Sequence, residues 1–296
     1  MKSFYVILLL SMTTQALFSQ DAADTSYWSS AGKFGINFSQ VGLTNWASGG
    51  DPTVSFSGLF TYGLKYEKEP HLWVNKLDAG YGVQRIGREG APFKKTDDKI
   101  ILTTRYGYRI NKKWYASALA DFRTQFYDGY SYEKDTSRFI SAFMAPAYSK
   151  IGIGISYNHR FSNEEYFSMT FAPINAKTTF VLDDTLSARG AFGIDPGKNL
   201  LFQAGVDLSM ALNKEIVKNV TLSTTLGLFS KYKDLAVVDV NWDMVVWFRI
   251  NQFLSANISM QLIYDQDVTV IDSEGNPVNS LVQFKEVLGI GLTLAF

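Results

Sequence analysis

Cysteine is missing from all 296 residues. That excludes disulfide scaffolds, thiolate metal sites, thiol nucleophiles and a lipid-anchored cysteine together. Histidine is nearly missing, with only His71 and His159. An excess of either charge is missing too, since 28 Lys+Arg balance 28 Asp+Glu, whereas a nucleic-acid partner calls for a basic patch. Long apolar runs are also missing. No segment approaches the eighteen or so residues of a spanning helix, so any residence in lipid has to use strands closed on themselves. A mean hydropathy of −0.03 suits that case, because half the residues of a spanning strand are polar.

Aromatic residues are plentiful, at 15% of the chain. The N-terminus has the three parts of a secretory signal: Lys2 as charged lead, Phe4 to Leu10 as short apolar stretch, and Leu17 and Ser19 at the −3 and −1 positions. Residues 1–19 are thus expected to be a signal peptide removed before Gln20, leaving 20–296 as a single domain.

From Gly32 onward the dominant period is two. Val54, Phe56, Phe60, Tyr62, Leu64 and Tyr66 make one apolar stripe, and Leu254, Ala256, Ile258, Met260, Leu262 and Tyr264 make another. Alternation of this kind gives a strand with one apolar face. Turn signals divide the chain into strands near 32–40, 53–66, 72–86, 98–110, 113–126, 139–157, 165–181, 199–212, 219–231, 237–250, 253–265 and 283–296. The expected fold is all-β, a transmembrane antiparallel up-and-down β-barrel of about twelve strands, the even number that bacterial barrels use. Short connections at 67–71, 111–112, 158–164, 213–218 and 251–252 alternate with longer ones at 41–52, 87–97, 127–138, 182–198, 232–236 and 266–282. Short periplasmic turns and long outer loops are the barrel rule.

Aromatics gather beside the short turns: Tyr66 with Trp73, Tyr108 with Trp114, Tyr157 with Phe161, Phe248 with Phe253. Rings of this kind prefer the headgroup level. A secreted β-sandwich also alternates. Its strands run about five or six residues, however, and the polar faces here carry Gly, Ser, Thr, Asn and Gln rather than Lys and Glu. The closing Gly291-x-x-Leu294-x-Phe296 resembles the terminal signal that outer-membrane assembly machinery reads.

Asn45-Trp46-Ala47-Ser48-Gly49-Gly50, Ala145-Pro146-Ala147-Tyr148, Gly190 to Lys198, Leu228 to Tyr232, Val238 to Trp242 and Tyr264-Asp265 resemble, in order and spacing, a family of Bacteroidota outer-membrane β-barrels catalogued as a domain of unknown function. The resemblance implies location and host phylum, and it brings no catalytic residues with it.

The face opposite each apolar stripe would turn Lys65, Lys76, Asp78, Arg105, Arg109, Asp121, Arg123, Asp207, Lys231, Asp239, Asp243, Arg249 and Lys285 into the lumen. One reading is an ion-paired interior, since charges out of water must be matched. The other is a polar passage that favours anions through basic groups at a constriction, with Arg105, Arg109, Asp121, Arg123 and Asp243 as its candidates. Eight strands are just filled by side chains and sixteen leave a channel, so twelve fall between. The Asn45–Gly50 loop, with Gly-Gly freedom and Trp46 as anchor, could meet Asp239, Asn241 and Trp242 at one rim.

No catalytic set emerges. Both histidines fall at short turns, where water prevents the buried, oriented pair that acyl transfer needs. Asp97-Asp98 and Asp183-Asp184 read as solvated loop acids. Asp265, Asp267, Asp272 and Glu274 lack the spacing of a calcium loop, and Gly190 to Lys198 lacks that of a phosphate loop. The chain is therefore read as no enzyme, with neither cofactor nor metal. Its expected partners are outer-membrane lipid and small solutes or other envelope proteins, and not nucleic acid. A passive outer-membrane channel is the first reading. A closed structural or partner-binding barrel in an envelope complex is the second.

Overall fold

The computed structural model describes residues 27–41, 51–87, 90–133, 136–162, 165–271, 277–279 and 281–295. The strands are β1 (Trp28–Val41), β2 (Thr53–Lys68), β3 (His71–Ile86), β4 (Lys94–Arg109), β5 (Trp114–Thr124), β6 (Gly129–Glu133), β7 (Thr136–Ser141), β8 (Ala147–Arg160) and β9 (Tyr166–Phe180). After a short helix α1 (Asp184–Ala188) come β10 (Leu200–Val217), β11 (Val220–Lys231), β12 (Asp234–Arg249), β13 (Leu254–Tyr264), β14 (Thr269–Ile271), β15 (Pro277–Asn279) and β16 (Gln283–Ala295).

Twelve strands close a barrel in the order β1-β2-β3-β4-β5-β8-β9-β10-β11-β12-β13-β16. Neighbours are antiparallel, and the seam runs from Lys33 opposite Ala295 to Asn37 opposite Gly291. Closure leaves no open edge, so the backbone groups pair inside the wall, as a strand structure in hydrocarbon must arrange. The expected count and up-and-down order both hold.

The alternation sorts residues to two faces. On β16 the outward row Leu288, Ile290, Leu292 and Leu294 is 73%, 56%, 63% and 57% exposed. The charged rows face in, because their hydrogen bonds reach strands that are not their neighbours. The barrel is built inside out, apolar without and charged within.

Rings gather on the outer face at the end of the short turns. Trp28 lies 5.0 Å from Tyr66 and 5.8 Å from Trp73, His71 5.6 Å from Tyr108, and Trp114 5.2 Å from Tyr157. These are ring-to-ring distances at which aromatic pairs gain beyond their burial.

Several boundaries differ from the sequence reading, and two of the differences change the connections around the barrel. The segment 139–157 is not one strand. Residues up to Ser141 pair with β6 in a hairpin outside the wall, and the barrel strand starts at Ala147. Met144 takes a positive φ of 60°, and Pro146 has no N–H for a ladder. The connection at 232–236 is not long. It shrinks to the two residues between β11 and β12, because Leu235, Val238 and their neighbours extend the strand.

Candidate functional site

The lumen holds most of the charge pairs. On β5, Arg123 donates to Asp243 of β12 at 2.9 Å and to Asn241 at 3.1 Å. Gln261 of β13 donates to the other Asp243 oxygen at 2.9 Å. Since β8, β9, β10 and β11 lie between β5 and β12, this contact crosses the bore. Others cross at other heights. Arg105 of β4 donates to Thr170 of β9 at 3.3 Å, and Lys285 of β16 reaches Asp97 of β4 at 2.5 Å. Lys150 of β8 meets Asp207 of β10 at 2.5 Å. The Trp247 ring of β12 leans over to β1, where a side chain on Gly35 would stand 3.8 Å from it.

At the mouth opposite the short turns, Lys177 of β9 is clasped by Asp239 at 2.7 Å and Asp265 at 2.6 Å. Two residues on, Asp267 accepts from Gln203 at 2.6 Å and from Lys231 at 2.8 Å. Its own amide donates to Asp265 at 3.0 Å. Burial pushes the Asp267 carboxyl up, but the hydrogen bonds from Lys231 and Gln203, with the charges of Lys231 and Lys177, outweigh it and hold the group below the usual carboxylate range. The connection after β13 is thereby latched inward by two lysines.

Beside this latch the long loops have a small core of their own. Ala145, Val181, Leu186 and Ile194 are buried together, with Phe139, Phe192 and Leu201 against them. The side chain of Asp183 caps α1 by accepting from the Leu186 amide at 2.9 Å, as N-caps do. Asp98 accepts from the amides of Phe126 and Tyr127 at 2.6 and 2.9 Å and pairs with Lys95 at 2.8 Å.

Of the constriction candidates, the fold brings together Arg123 and Asp243 and places Arg105 in the same bore. Arg109 does not join them. It lies at the turn end of β4, paired with Glu69 and 5.6 Å from the Tyr115 ring. Four residues separate it from Arg105, roughly 13 Å along a strand. Asp121 faces the lumen as expected, opposite Thr103. The rim grouping also breaks. Asp239 and Asn241 point inward, but Trp242 is one residue out of phase. It lies on the outer wall between Leu226 and Leu262, bonded to Thr224 at 2.9 Å. Trp46 and its loop lie outside the described residues, as do Asp272, Glu274 and the 1–19 segment. Asp97, Asp98, Asp265 and Asp267 are not solvated loop acids, because each has a lysine partner.

The sequence reading missed Lys177 and Lys150. A bulge in β9 between Ala172 and Ile174 switches the outward set from odd to even positions, as an extra residue in one strand does. Pro173 marks the spot, since proline inside a strand belongs at bulges. Across from it, Gly154 has no room for a side chain: a Cβ would stand 1.9 Å from the Phe171 carbonyl oxygen.

Closed pairing all round, an apolar exterior and a charged, crossed interior define an antiparallel up-and-down β-barrel suited to lipid. Residues 38–130, which include Arg105, Arg109, Asp121 and Arg123, match the family model described as "Protein of unknown function (DUF3078)". No curated protein matches the chain in sequence. Among solved structures it is similar to an outer membrane channel from Pseudomonas putida F1, at 11% identity and TM-score 0.39 over 94% of this chain and 100% of that one. The translocator domain of autotransporter NalP from Neisseria meningitidis shares 10% identity at TM-score 0.33, over 91% of this chain and 86% of that one. OmpT, an outer membrane protein of Vibrio cholerae, shares 8% identity at TM-score 0.31, over 94% and 100%. These scores are too low for any of the three to lend this chain a role.

Proposed function

We propose that the chain is an outer-membrane β-barrel whose bore is held shut by ion pairs, and that it acts as a structural or partner-binding barrel through its folded outer loops. The membrane part is supported by the closed wall with its apolar exterior and by the signal sequence expected at 1–19. On the motif resemblance its host belongs to the Bacteroidota. The observation that carries the closed reading is the Arg123–Asp243 contact, which bridges the bore from β5 to β12 at 2.9 Å.

A second reading, a passive channel for small solutes, is favoured by the wetness of the same pair. Arg123 and Asp243 keep 24% and 22% of their side chains exposed, so water reaches them inside the wall. Planar-bilayer recording separates the two. The closed reading expects no steady conductance from the wild type, and a conducting state once Arg123→Gln and Asp243→Asn remove the bridge. Steady wild-type conductance with a modest anion preference, lost when Arg105→Gln is made, would replace it with the channel reading, because selection acts through charges at a constriction.

A further inference from the structure

Every wall strand has a neighbour on each side, yet one join is short. β1 pairs with β16 over five rungs, from Lys33 opposite Ala295 to Asn37 opposite Gly291. Among the described residues every other join in the wall has ten rungs or more. Neither strand stops at the last rung. β1 stays paired to β2 as far as Val41 opposite Thr53, and β16 is paired to β13 from Gln283 opposite Ile263. The two strands therefore part toward the long-loop end, each held from its far side.

The fork is a built point. A Cβ on Gly291 would collide with the Ile36 carbonyl oxygen, and one on Gly289 would stand 2.8 Å from the Asn37 side chain. Asn37 donates to Ser57 on β2 at 3.2 Å and accepts from Asn257 on β13 at 3.4 Å. Side chains from both flanks thus meet where the backbones separate.

Beyond the fork the backbone is unmatched. The Thr293 amide donates to the Phe253 carbonyl at 2.9 Å, so odd residues of β16 turn their backbone groups toward β13 and even ones toward β1. The N–H and C=O of Phe284, Glu286 and Leu288 consequently face the split, with no strand partner there among the described residues. At membrane depth such backbone is tolerated only where it lines a water-filled cavity. In a membrane wall the split must therefore open onto the bore.

Its two sides differ in chemistry. Outside, Phe38 stands on one edge with its ring 5.1 Å from that of Phe56, and Ile290 and the highly exposed Leu288 stand on the other. Inside is Lys285, whose ammonium reaches Asp97 on β4 at 2.5 Å, passing behind β1, β2 and β3. Lys285 keeps 38% of its side chain exposed, and with three donors it can serve a second acceptor. Glu286, next along the strand, is exposed on the opposite face and would repel an anion left on the lipid side. Charge thus draws an anionic head inward, while the edges suit an alkyl chain. Leu288 and Ile290 lie three and five residues from Lys285, roughly 10 and 17 Å along a strand, within the reach of an extended palmitate.

We propose that the split between β1 and β16 binds one long-chain monocarboxylate, a fatty-acid anion, threaded through the wall. Its carboxylate meets Lys285 in the bore, and its chain leaves between Gln40 and Leu288 to lie along Ile290 in the lipid. The proposal rests on the membrane-barrel reading, and not on whether the bore is shut at Arg123 and Asp243.

The test is native mass spectrometry of the detergent-extracted full barrel, titrated with palmitate, hexadecanol and butyrate. One palmitate per chain is expected, held roughly tenfold more tightly than hexadecanol, the worth of a hydrogen bond to a charged group, with butyrate not retained. Lys285→Met, made together with Asp97→Asn so that no buried acid is abandoned, should erase the preference over hexadecanol. Asp97→Asn alone should keep it. Ser39→Trp fills the split from its inner side and should lower palmitate affinity by about tenfold or more. Heat-modifiable migration checks that each variant folds. A palmitate analogue with a photoreactive diazirine in its tail needs no variant, and should mark residues 38–41 and 284–290 of the wild type. Labelling spread evenly round the wall, a folded wild type that retains no palmitate, or a Ser39→Trp variant that binds as the wild type does, overturns the proposal. So does a wild-type dimer that palmitate leaves intact, which would give the free edge to a second copy. A chain that stays in solution without detergent would instead sink the membrane reading itself.

Discussion

The ammonium of Lys150 on β8 stands 2.5 Å from a carboxylate oxygen of Asp207 on β10, reaching over β9 to do so. Its register partner on β9 is another inward lysine, Lys177, so two like charges sit side by side and lean to different acids. Asp207 is wholly buried. Lys150→Met is expected to cost about 3 kcal/mol or more, because it abandons a buried carboxylate. Adding Asp207→Leu should restore much of that loss. Urea unfolding of the folded barrel in detergent micelles measures both, and equal stability of the single variant and the wild type would refute the pairing.

Gly154 and Gly58 give a matched pair. A Cβ at Gly154 would collide with the Phe171 carbonyl oxygen, whereas at Gly58 nothing lies within 4 Å. Gly154→Ala should therefore break the β9 bulge and lower the amount of assembled barrel, and Gly58→Ala should leave it unchanged. Heat-modifiable migration of outer-membrane fractions reads the difference. The same clash would weaken the lumen indirectly, since the bulge is what turns Lys177 inward.

The wall was legible in the sequence because each strand repeats one rule over ten or more residues, and a slip of one residue would turn every side chain to the wrong face. Leu254 to Tyr264 kept its phase throughout, and so did the Arg105, Asp121, Arg123 and Asp243 rows. What escaped depends on single-residue events. The bulge at Pro173 reversed the phase of Lys177, and the break at Met144 to Pro146 concealed where the strand with Lys150 begins. Pairing across the bore was illegible in principle, because alternation says which way Arg123 points but not which acid five strands away it meets. Trp242 was misjudged by proximity in sequence, which in a strand puts neighbours on opposite faces.

The two faces of β11 make a direct test of orientation. Leu226 is outward at mid-strand, opposite Trp242, and Thr225 is inward, opposite Asp243. An arginine on the lipid face near the midplane costs about 2–4 kcal/mol, so Leu226→Arg should impair assembly severely. Thr225→Arg gains Asp243 as a neighbour and should be tolerated. Equal outcomes in the migration assay would mean that the faces are assigned the wrong way or that neither meets lipid.

The latch at the long-loop mouth should be sensitive to acid. Asp267 is held below the ordinary carboxylate range, with burial opposing and its bonds from Lys231 and Gln203 prevailing. A group whose folded value is depressed stabilises the folded form fully above its unfolded value, near 4 for aspartate, and loses that contribution as pH falls through the folded value. The charged groups around it are Lys231 and Lys177 with the acids Asp265 and Asp239. Amide exchange across residues 265–271, corrected for its intrinsic pH dependence, should therefore be slow at neutral pH and speed up as pH drops below about 4. Asp267→Asn cannot take the ionised form, so its exchange should already be faster at neutral pH and change less on acidification. Lys231→Met should loosen the same stretch at neutral pH by removing the cation that holds it. An acid-insensitive wild type, or an Asp267→Asn variant as protected as the wild type, would show that the connection after β13 is held by something other than this pair of charges.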